Sequence, residues 1–230
     1  MHVKVVILGA GAAGMMCAAQ LGADALVIDH AKAPGEKIRI SGGGRCNFTN
    51  LEVEPSRFLS ANPHFAKSAL ARYTQWDFIE MVSRHGIAWH EKTLGQLFCD
   101  GKSTQIIEML KAEMGDAQLW LQTSVKELSA REGGYALLLE REGREVRVTC
   151  DAVVVATGGK SIPKMGATGL AYDIARQFGI AVTDTRPALV PFTFPEGRFA
   201  PISGVSVPVR AVAGDGAFSE AMLFTHRGLS

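Results

Sequence analysis

The chain has 230 residues, of which 47% are hydrophobic and 20% are charged. This composition is typical of a globular protein with one full core and the beginning of a second. The formal net charge is +1, from 24 Lys and Arg against 23 Asp and Glu, which gives no signal for nucleic acid or an anionic membrane surface. The longest apolar stretches, residues 3–13 and 152–157, are shorter than the roughly 20 residues that span a bilayer. We therefore expect no nucleic-acid partner and no membrane anchor.

The N-terminus and the cysteines indicate the compartment. Met1 is followed almost at once by an apolar strand, without a basic segment or a small-residue cleavage site, so a signal peptide is not expected. The four cysteines, Cys17, Cys46, Cys99 and Cys150, include no C-x-x-C pair, which argues against a zinc site or a dithiol redox centre. We expect a cytoplasmic protein with reduced, mostly buried thiols and no bound metal.

The first 29 residues predict a βαβ unit. Residues 3–8 and 25–29 have the apolar pattern of strands buried on both faces, and residues 12–21 form a helix of small residues between them. A right-handed crossover would place the two strands side by side. Residues 33–50 then lack helical or strand periodicity, which predicts either a long ordered loop or a functional segment.

The rest of the chain predicts a mixture of helices and strands. The predicted helices are 64–73, 74–86 (opened by a capping box of Thr74 and Asp77), 103–114 (capped by Ser103) and 170–178. The predicted strands are 119–123, 135–140, 145–149 and 152–156, the second and third forming a hairpin through Glu142 and Gly143. From Thr185 onward, Pro, Val, Thr and Phe alternate with turn signals, which indicates an antiparallel β subdomain. We place the domain boundary at 186, between domains 1–186 and 187–230.

The strongest motif lies between the first strand and the first helix. Gly9, Gly11 and Gly14 form a G-x-G-x-x-G pattern with Ala12 and Ala13, in the context in which this motif binds a dinucleotide. The glycines allow a tight turn and close approach of the backbone to a pyrophosphate, and the helix N-terminus offers free N–H groups to the anion. A glycine turn without a ligand is the alternative interpretation.

Two further positions indicate the same ligand. Asp29 ends the second strand, where a carboxylate can accept hydrogen bonds from ribose hydroxyls and would repel a 2′-phosphate. His30 follows it and is included in the candidate site. The buried strand that ends at residue 156 runs into a glycine pair, where the chain can come close to a dinucleotide. The candidate residues there are Ala156, Thr157, Gly158 and Gly159.

A second glycine-rich segment spans residues 41–50. It contains Ser41, Gly42, Gly43, Gly44, Arg45, Cys46 and Asn47, followed by Thr49. Three consecutive glycines cost conformational entropy unless the backbone must approach something closely, and a ligand would explain them, whereas a flexible surface loop is the alternative. Arg45 suits a phosphate or a cofactor carbonyl, and Asn47 offers both a donor and an acceptor. Cys46 is interpreted as a packing or wall residue rather than a nucleophile.

These segments together resemble a known family. The GAGAAG motif, the acidic end of the second strand and ATGG resemble the flavoproteins with two dinucleotide-binding domains. KIRISGGGRCNFTN, HGIAWHEKTLGQLFC, ATGGKSIPKMGATGLAYDIARQFG, PALVPFTF and LFTHRGLS closely resemble one bacterial subfamily, the YhiN-like, aminoacetone-oxidase-like NAD(P)/FAD-dependent flavoproteins. The resemblance covers essentially the whole chain.

The resemblance implies an α/β fold: a three-layer FAD/NAD(P)-binding Rossmann-like domain with the start of a β-rich insertion domain near residue 187. It implies FAD as the cofactor, with Lys37, Thr49 and residues 41–47 on its flavin and ribityl side and Val125 on its adenine side. Members of the family continue beyond the segment that matches LFTHRGLS, so we expect a C-terminally truncated chain that retains FAD weakly or not at all.

The function expected from this resemblance is that of an FAD-dependent oxidoreductase acting on a small organic substrate, with NAD(P)H or oxygen as a possible second partner. Flavin chemistry requires no protein nucleophile, so no catalytic residue is assigned; His226 is a candidate acid or base, and His85 and His90 are interpreted as structural. The alternatives are a reductase of enone or steroid-like acids and a flavin-binding protein without turnover. A tRNA-modifying flavoprotein ranks last, because the charge and the 7% aromatic content give no signal for it.

Overall fold

The computed structural model describes residues 1–162, 166, 168–188, 190–214 and 216–230. Parts of the segments that carry the family resemblance, residues 163–165, 167 and 189, lie outside the described residues. Two compact units are present, Met1–Val182 and Thr183–Ser230. The boundary at 186 between independent domains stays a prediction.

The central sheet of the first unit has six strands, here numbered in chain order: β1 (His2–Leu8), β2 (Ala25–Ile28), β6 (Gln118–Trp120), β7 (Thr123–Arg131), β8 (Gly134–Arg141) and β9 (Arg144–Val155). Their order in the sheet is β6-β2-β1-β9-β8-β7. β1 pairs in parallel with β2 on one side and β9 on the other, and β2 pairs in parallel with β6. β7, β8 and β9 form an antiparallel meander.

Two apolar clusters cover the two faces of the parallel strands, because successive strand residues point to opposite sides. The helices are α1 (Ala12–Leu21), α2 (Glu36–Ile40), α3 (Lys67–Arg72), α4 (Gln75–Arg84), α5 (Thr104–Glu113) and α6 (Leu170–Gln177). Ile7 packs with α1 and α5, through Met15 and Leu110 among others. Its neighbour Leu8 packs on the opposite face with the meander and α6. The result is three layers, which confirms the predicted α/β class.

Several predicted elements are confirmed, including the βαβ unit of β1, α1 and β2. α4 begins with the predicted capping box: Asp77 N donates to Thr74 Oγ1 at 3.3 Å, and Thr74 N donates to Asp77 Oδ2 at 2.7 Å. The hairpin through Glu142 and Gly143 joins β8 to β9. The predicted cap of α5 is wrong, since the hydroxyl of Ser103 donates instead to the carbonyl of Arg39, at 2.7 Å.

Other predicted elements need correction. Residues 33–50 are not one loop: they contain α2, a 3-10 turn over Ser41–Gly44 and strand β3 (Asn47–Asn50). β3 pairs with β5 (Gln96–Cys99), which pairs with β4 (Trp89–Glu91), in a small antiparallel sheet that the sequence analysis missed. The predicted strand 119–123 is instead the end of β6 and the start of the longer β7. The predicted strands 145–149 and 152–156 are one strand, β9.

The second unit is an antiparallel sheet, as predicted from residue 185 onward. Its strands are β10 (Phe192–Thr193), β11 (Ser206–Ala213), β12 (Gly216–Thr225) and β13 (Gly228–Leu229), in the order β10-β13-β12-β11. In the described part of the chain, no helix is long and apolar enough to cross a membrane. All four thiols are free, and those of Cys46, Cys99 and Cys150 are buried.

Candidate functional site

The glycine turn between β1 and α1 is closed by close backbone contacts. Gly9 N donates to the carbonyl of Ile28 at 2.7 Å, and Gly9 has a φ of +109°. A Cβ at Gly9 would lie 2.5 Å from the carbonyl oxygen of Ala156, and a Cβ at Gly14 would collide with the carbonyl oxygen of Gly9. These two glycines are therefore required by the packing of the turn against β9 and α1.

Gly11 is different from its two neighbours in the motif. It is the N-cap residue of α1, with φ −83°, and makes no side-chain cap hydrogen bond. A Cβ at this position would meet no atom within 4 Å. The space in front of Gly11 is thus open at the N-terminus of a helix, where free N–H groups and the helix dipole favour an anion such as a phosphate.

Asp29 fixes the turn from the end of β2. Its Oδ2 accepts a hydrogen bond from Ala10 N at 2.7 Å, and its Oδ1 accepts one from Ala31 N at 2.8 Å. His30 Nδ1 lies 3.4 Å from Asp29 Oδ1, and the side chains of Asp29 and His30 are 16% and 55% exposed. Each carboxylate oxygen keeps a further lone pair, so Asp29 can hold the turn and still accept a hydrogen bond from a ligand hydroxyl.

Two cavities adjoin this turn and share Gly9, Asp29, His30 and Thr157. The first, of about 410 Å³, extends toward the meander and α6 and is lined also by Leu8, Ile28, Thr123, Ser124, Val125, Thr168, Gly169, Leu170 and Asp173. The second, of about 270 Å³, extends along α1 and α2 and is lined also by Ala10, Gly11, Ala12, Ala13, Ala31, Gly35, Glu36, Lys37, Ile38, Ala156, Gly158 and Gly166. An elongated molecule would occupy both.

The hydroxyl of Thr157, in the wall that the two cavities share, supports a polar ligand. Thr157 Oγ1 is buried and has no hydrogen-bond partner among the described residues. An unsatisfied buried hydroxyl costs about 1–3 kcal/mol. A polar ligand group in the cavities would remove this cost, so the residues present fit a dinucleotide.

The structure brings together most of the residues predicted around the glycine motif. The predicted residues that line the two cavities are Gly9, Gly11, Ala12, Ala13, Asp29, His30, Lys37, Val125, Ala156, Thr157 and Gly158. Gly14 lies buried behind the turn. Lys37 Nζ donates to the Gly159 carbonyl at 3.3 Å and to Ser161 Oγ at 3.0 Å, so Gly159 lies beside the second cavity without lining it.

The second glycine-rich segment lines neither cavity. A Cβ at Gly42, where φ is +56°, would lie 2.6 Å from Asn47 N and 2.7 Å from a ring atom of Phe98, so packing against β5 explains this glycine. Arg45 and Asn47 are exposed, and Ser41 and Thr49 are half-buried. No atom lies within 4 Å of a Cβ at Gly43 or Gly44, so the backbone there is open to approach. Cofactor contact by residues 41–49 stays a prediction.

Burial determines the state of the Cys46 thiol in this segment. Cys46 is buried in the same apolar cluster as Cys99. Burial raises the pKa of the Cys46 thiol, and raises the pKa of Cys99 to about 11. Both thiols are therefore protonated at neutral pH, which agrees with the interpretation of Cys46 as a packing residue.

Several cavity residues were missed by the sequence analysis. They are Gly35 and Glu36 at the start of α2, Thr123 and Ser124 at the start of β7, and Gly166, Thr168, Gly169 and Asp173 near α6. The Pro34-Gly35 turn was an available signal, since Gly35 N donates to the Ala10 carbonyl at 2.8 Å and joins α2 to the glycine turn. The other missed residues reach the cavities only through tertiary contacts, for which the sequence carries no local signal.

Of the three histidines considered for catalysis, His85 and His90 do not line these cavities. His85 Nε2 is 2.5 Å from Glu113 Oε1, and His90 Nδ1 is 2.6 Å from Asp100 Oδ1. Both are paired with carboxylates, as expected of structural histidines. His226 lines a separate pocket within the second unit.

A parallel βαβ sheet with this glycine turn and an acidic residue after its second strand defines a protein of the Rossmann-type fold class. The chain belongs to the HI0933-like protein family, whose Rossmann-domain model matches residues 3–226. Membership confirms the resemblance to the YhiN-like flavoprotein family found in the sequence, while the C-terminal truncation stays a prediction.

Three relatives with assigned names are similar to this chain in sequence. Ribosomal RNA dihydrouridine synthase of Escherichia coli (strain K12) is 52% identical over 98% of this chain and 58% of its own length. The protein of the same name from Haemophilus influenzae is 49% identical, with the same coverage. The 3-dehydro-bile acid delta(4,6)-reductase of Clostridium scindens is 26% identical over 91% of this chain and 52% of its own length. The chain thus spans little more than half of these relatives.

Solved structures share the fold at low identity. The open conformation of a flavocytochrome c3 fumarate reductase has a TM-score of 0.52 and 19% identity, covering 76% of this chain and 40% of that one. The 3-ketosteroid-delta4-(5alpha)-dehydrogenase from Rhodococcus jostii RHA1 has a TM-score of 0.51 and 18% identity, covering 69% and 46%. These likenesses support the fold assignment.

Proposed function

We propose that the protein is a flavin-dependent oxidoreductase that holds FAD along the two adjoining cavities. The observation that carries this proposal is the convergence on one elongated space of an open helix N-terminus at Gly11, the Asp29 carboxylate and the Thr157 hydroxyl, which has no partner among the described residues. In this arrangement the N-terminus of α1 would hold the pyrophosphate, Asp29 would accept a hydrogen bond from a ribose hydroxyl, and Val125 would lie on the adenine side. Bound FAD supplies hydride transfer, while the protein supplies position and shielding.

For the complete protein we propose a uracil ring of ribosomal RNA as the substrate, because the relatives with 52% and 49% identity are named for that reaction. Reduction of the C5=C6 double bond adds one hydride and one proton and consumes one reduced nicotinamide cofactor. This proposal competes with the expectation of a small-molecule substrate and no nucleic acid, which rested on the net charge of +1. The net charge is a sum over the whole protein, and it does not show whether positive charges are concentrated in one region of the surface.

The test uses the full-length protein. We expect a flavin absorption spectrum that bleaches when NADH or NADPH is added without oxygen, followed by the appearance of dihydrouridine in ribosomal RNA that lacks the modification, measured by mass spectrometry of the digested RNA. The Gly11→Ala variant is the control: it should bind FAD more weakly, and both signals should fall in proportion to the flavin that it loses. Flavin that is reduced but yields no dihydrouridine would refute the RNA substrate and leave the flavin assignment standing.

The second candidate is a reductase of enone or steroid-like acids. It is favoured by the similarity to the bile-acid reductase of Clostridium scindens, at 26% identity. The same reduced protein distinguishes the candidates: faster reoxidation by an unsaturated 3-keto bile acid than by RNA favours this reductase. Reoxidation by oxygen alone favours an oxidase, and no reoxidation by any acceptor favours a flavin-binding protein without turnover.

A further inference from the structure

Exposed aromatic rings are concentrated in one segment of the first unit that the proposed flavin site does not use. Phe58, Phe65, Tyr73 and Trp76 are 48%, 81%, 39% and 58% exposed, and Leu59 is 92% exposed. Within the described residues, every aromatic side chain of the first unit that is this exposed lies between residues 58 and 76. Large exposed apolar groups on one segment indicate an interaction site.

The same segment is basic, although the chain as a whole is nearly neutral. Residues 55–76, here called the aromatic-basic segment, contain Arg57, Lys67 and Arg72, and no Asp or Glu. Arg57 pairs with Glu52 just outside the segment, at 3.2 Å. Lys67 and Arg72 form no ion pair with any described residue. Two cations therefore remain available among the exposed rings.

Local hydrogen bonds hold the backbone of the segment. Asn62 Oδ1 accepts from His64 N at 3.0 Å, and Ser60 Oγ donates to the Asn62 carbonyl at 2.7 Å. The far end is fixed by the capping box of α4 and by Gln75 Nε2, which donates to the Leu51 carbonyl at 3.0 Å. The exposed rings are thus carried on an ordered surface, which begins a few residues after β3.

Exposed aromatic rings that alternate with unpaired basic side chains are suited to binding single-stranded nucleic acid. Single-stranded nucleic acids are bound by aromatic side chains that stack on bases and by basic side chains that contact phosphates. RNA recognition in particular uses unpaired loops whose bases are splayed onto such rings. We propose that the aromatic-basic segment binds unpaired nucleotides of an RNA substrate, with Phe65 and Trp76 stacking on bases and Lys67 and Arg72 contacting phosphates. This inference rests on the proposed RNA substrate.

The first test measures binding of a short fluorescent oligouridylate to the full-length, FAD-loaded protein by anisotropy. Stacking of one base on one ring contributes binding free energy that is lost when the ring is removed. Phe65→Ala or Trp76→Ala should therefore weaken RNA binding about tenfold. The double variant Lys67→Ala/Arg72→Ala should reduce the slope of log K against log salt by about 1.4, since each phosphate contact on a single strand contributes about 0.7. A residue with a purely structural role would not change this slope.

Matched controls carry similar changes elsewhere. Phe218→Ala removes a ring that is 73% exposed on β12, and Arg147→Ala removes an exposed cation on β9; both should bind RNA as the unaltered protein does. All variants should keep the flavin spectrum, its bleaching by NADH or NADPH and the melting temperature.

The outcomes separate this inference from the proposed function. If the unaltered protein forms dihydrouridine and the segment variants bind RNA normally, the inference is overturned while the function stands. If RNA binding depends on the segment but no dihydrouridine forms, the assignment of the segment as an RNA-binding surface is supported and the proposed reaction fails. If the variants lose binding to phosphatidylserine vesicles and not to RNA, the segment is a membrane contact and the inference is overturned.

Discussion

Residues of one motif can be glycine for different physical reasons. Gly14 is glycine because a side chain would collide with the Gly9 carbonyl, whereas Gly11 faces open space. The sequence pattern predicted both positions and could not tell them apart. The contacts of Asp29 with Ala10 and Ala31 also arise from the tertiary arrangement, as does the Thr157 hydroxyl, which no other described residue pairs with. The motif therefore predicts where a ligand lies, and only the folded structure shows which protein atoms remain free to contact that ligand.

This difference predicts opposite results for two alanine substitutions. Inside a helix, Gly→Ala would ordinarily stabilise by about 1 kcal/mol; in Gly14→Ala the collision should outweigh that gain and lower the melting temperature. Gly11→Ala should melt normally and bind FAD more weakly, because its methyl group occupies the open space. Thermal unfolding and FAD titration of both variants provide the measurement. An equal loss of melting temperature in both would contradict the distinction.

At the scale of elements, long periodic segments were predictable and short ones were not. α1 and α4 carry ten residues each; α1 was predicted from its small residues after the glycine motif, and α4 from its capping box. α2 has five residues and β4 has three, too few for any period to be read. β9 was divided because the exposed Asp151 interrupts its apolar pattern, although the pairing of β9 with β1 keeps the same register on both sides of Asp151.

One contact between elements depends on pH. Glu113 at the end of α5 lies 2.5 Å from His85 Nε2 and 3.0 Å from Arg84 Nη2, both at the end of α4. Hydrogen bonds from His85 and then Arg84 lower the pKa of the Glu113 carboxyl. Since the pKa is lower in the folded state, the stabilisation is complete above the ordinary Glu value of about 4.3 and is lost as pH falls through the folded value.

Glu113→Gln should therefore lower the melting temperature by a few degrees at pH 6, and the difference from the unaltered protein should shrink as the pH falls below about 4. Thermal unfolding across this pH range measures it. Glu108→Gln is the control, because it removes an exposed carboxylate from the same helix and should have little effect at any pH. A constant difference down to pH 3 would show that lost packing, and not the charge, causes the effect.

At the scale of the whole molecule, the change from α/β pattern to antiparallel β pattern was visible in the sequence. Residues 180–188 form neither helix nor strand, and nearly all are exposed. The overall composition could not reveal the aromatic-basic segment. The net charge sums positive and negative residues over the whole chain, so a local excess of positive charge does not appear in it. The path of the chain was needed to show which rings remain exposed.

The segment between the two units should be the first site of proteolysis. Exposed backbone without hydrogen-bonded structure is cleaved preferentially, so brief digestion with thermolysin or Asp-N should release a stable fragment that ends between residues 180 and 188. Mass spectrometry of the digest locates the cut. Trypsin is unsuitable for this test, because Arg186 is followed by Pro187. First cleavage inside residues 1–162 would contradict the division into two units.

The single strand β9 has a consequence for how the first unit assembles. Thr149 and Cys150 pair with β8 on one edge and with β1 on the other. The β8–β9 pairing closes a two-residue turn, while the β1–β9 pairing joins His2 to Thr149 across most of the unit. Local pairing costs little loop entropy and distant pairing costs more. The meander can therefore form first and serve as the template on which the N-terminal strand docks, so that completion of the glycine turn becomes a late event in folding.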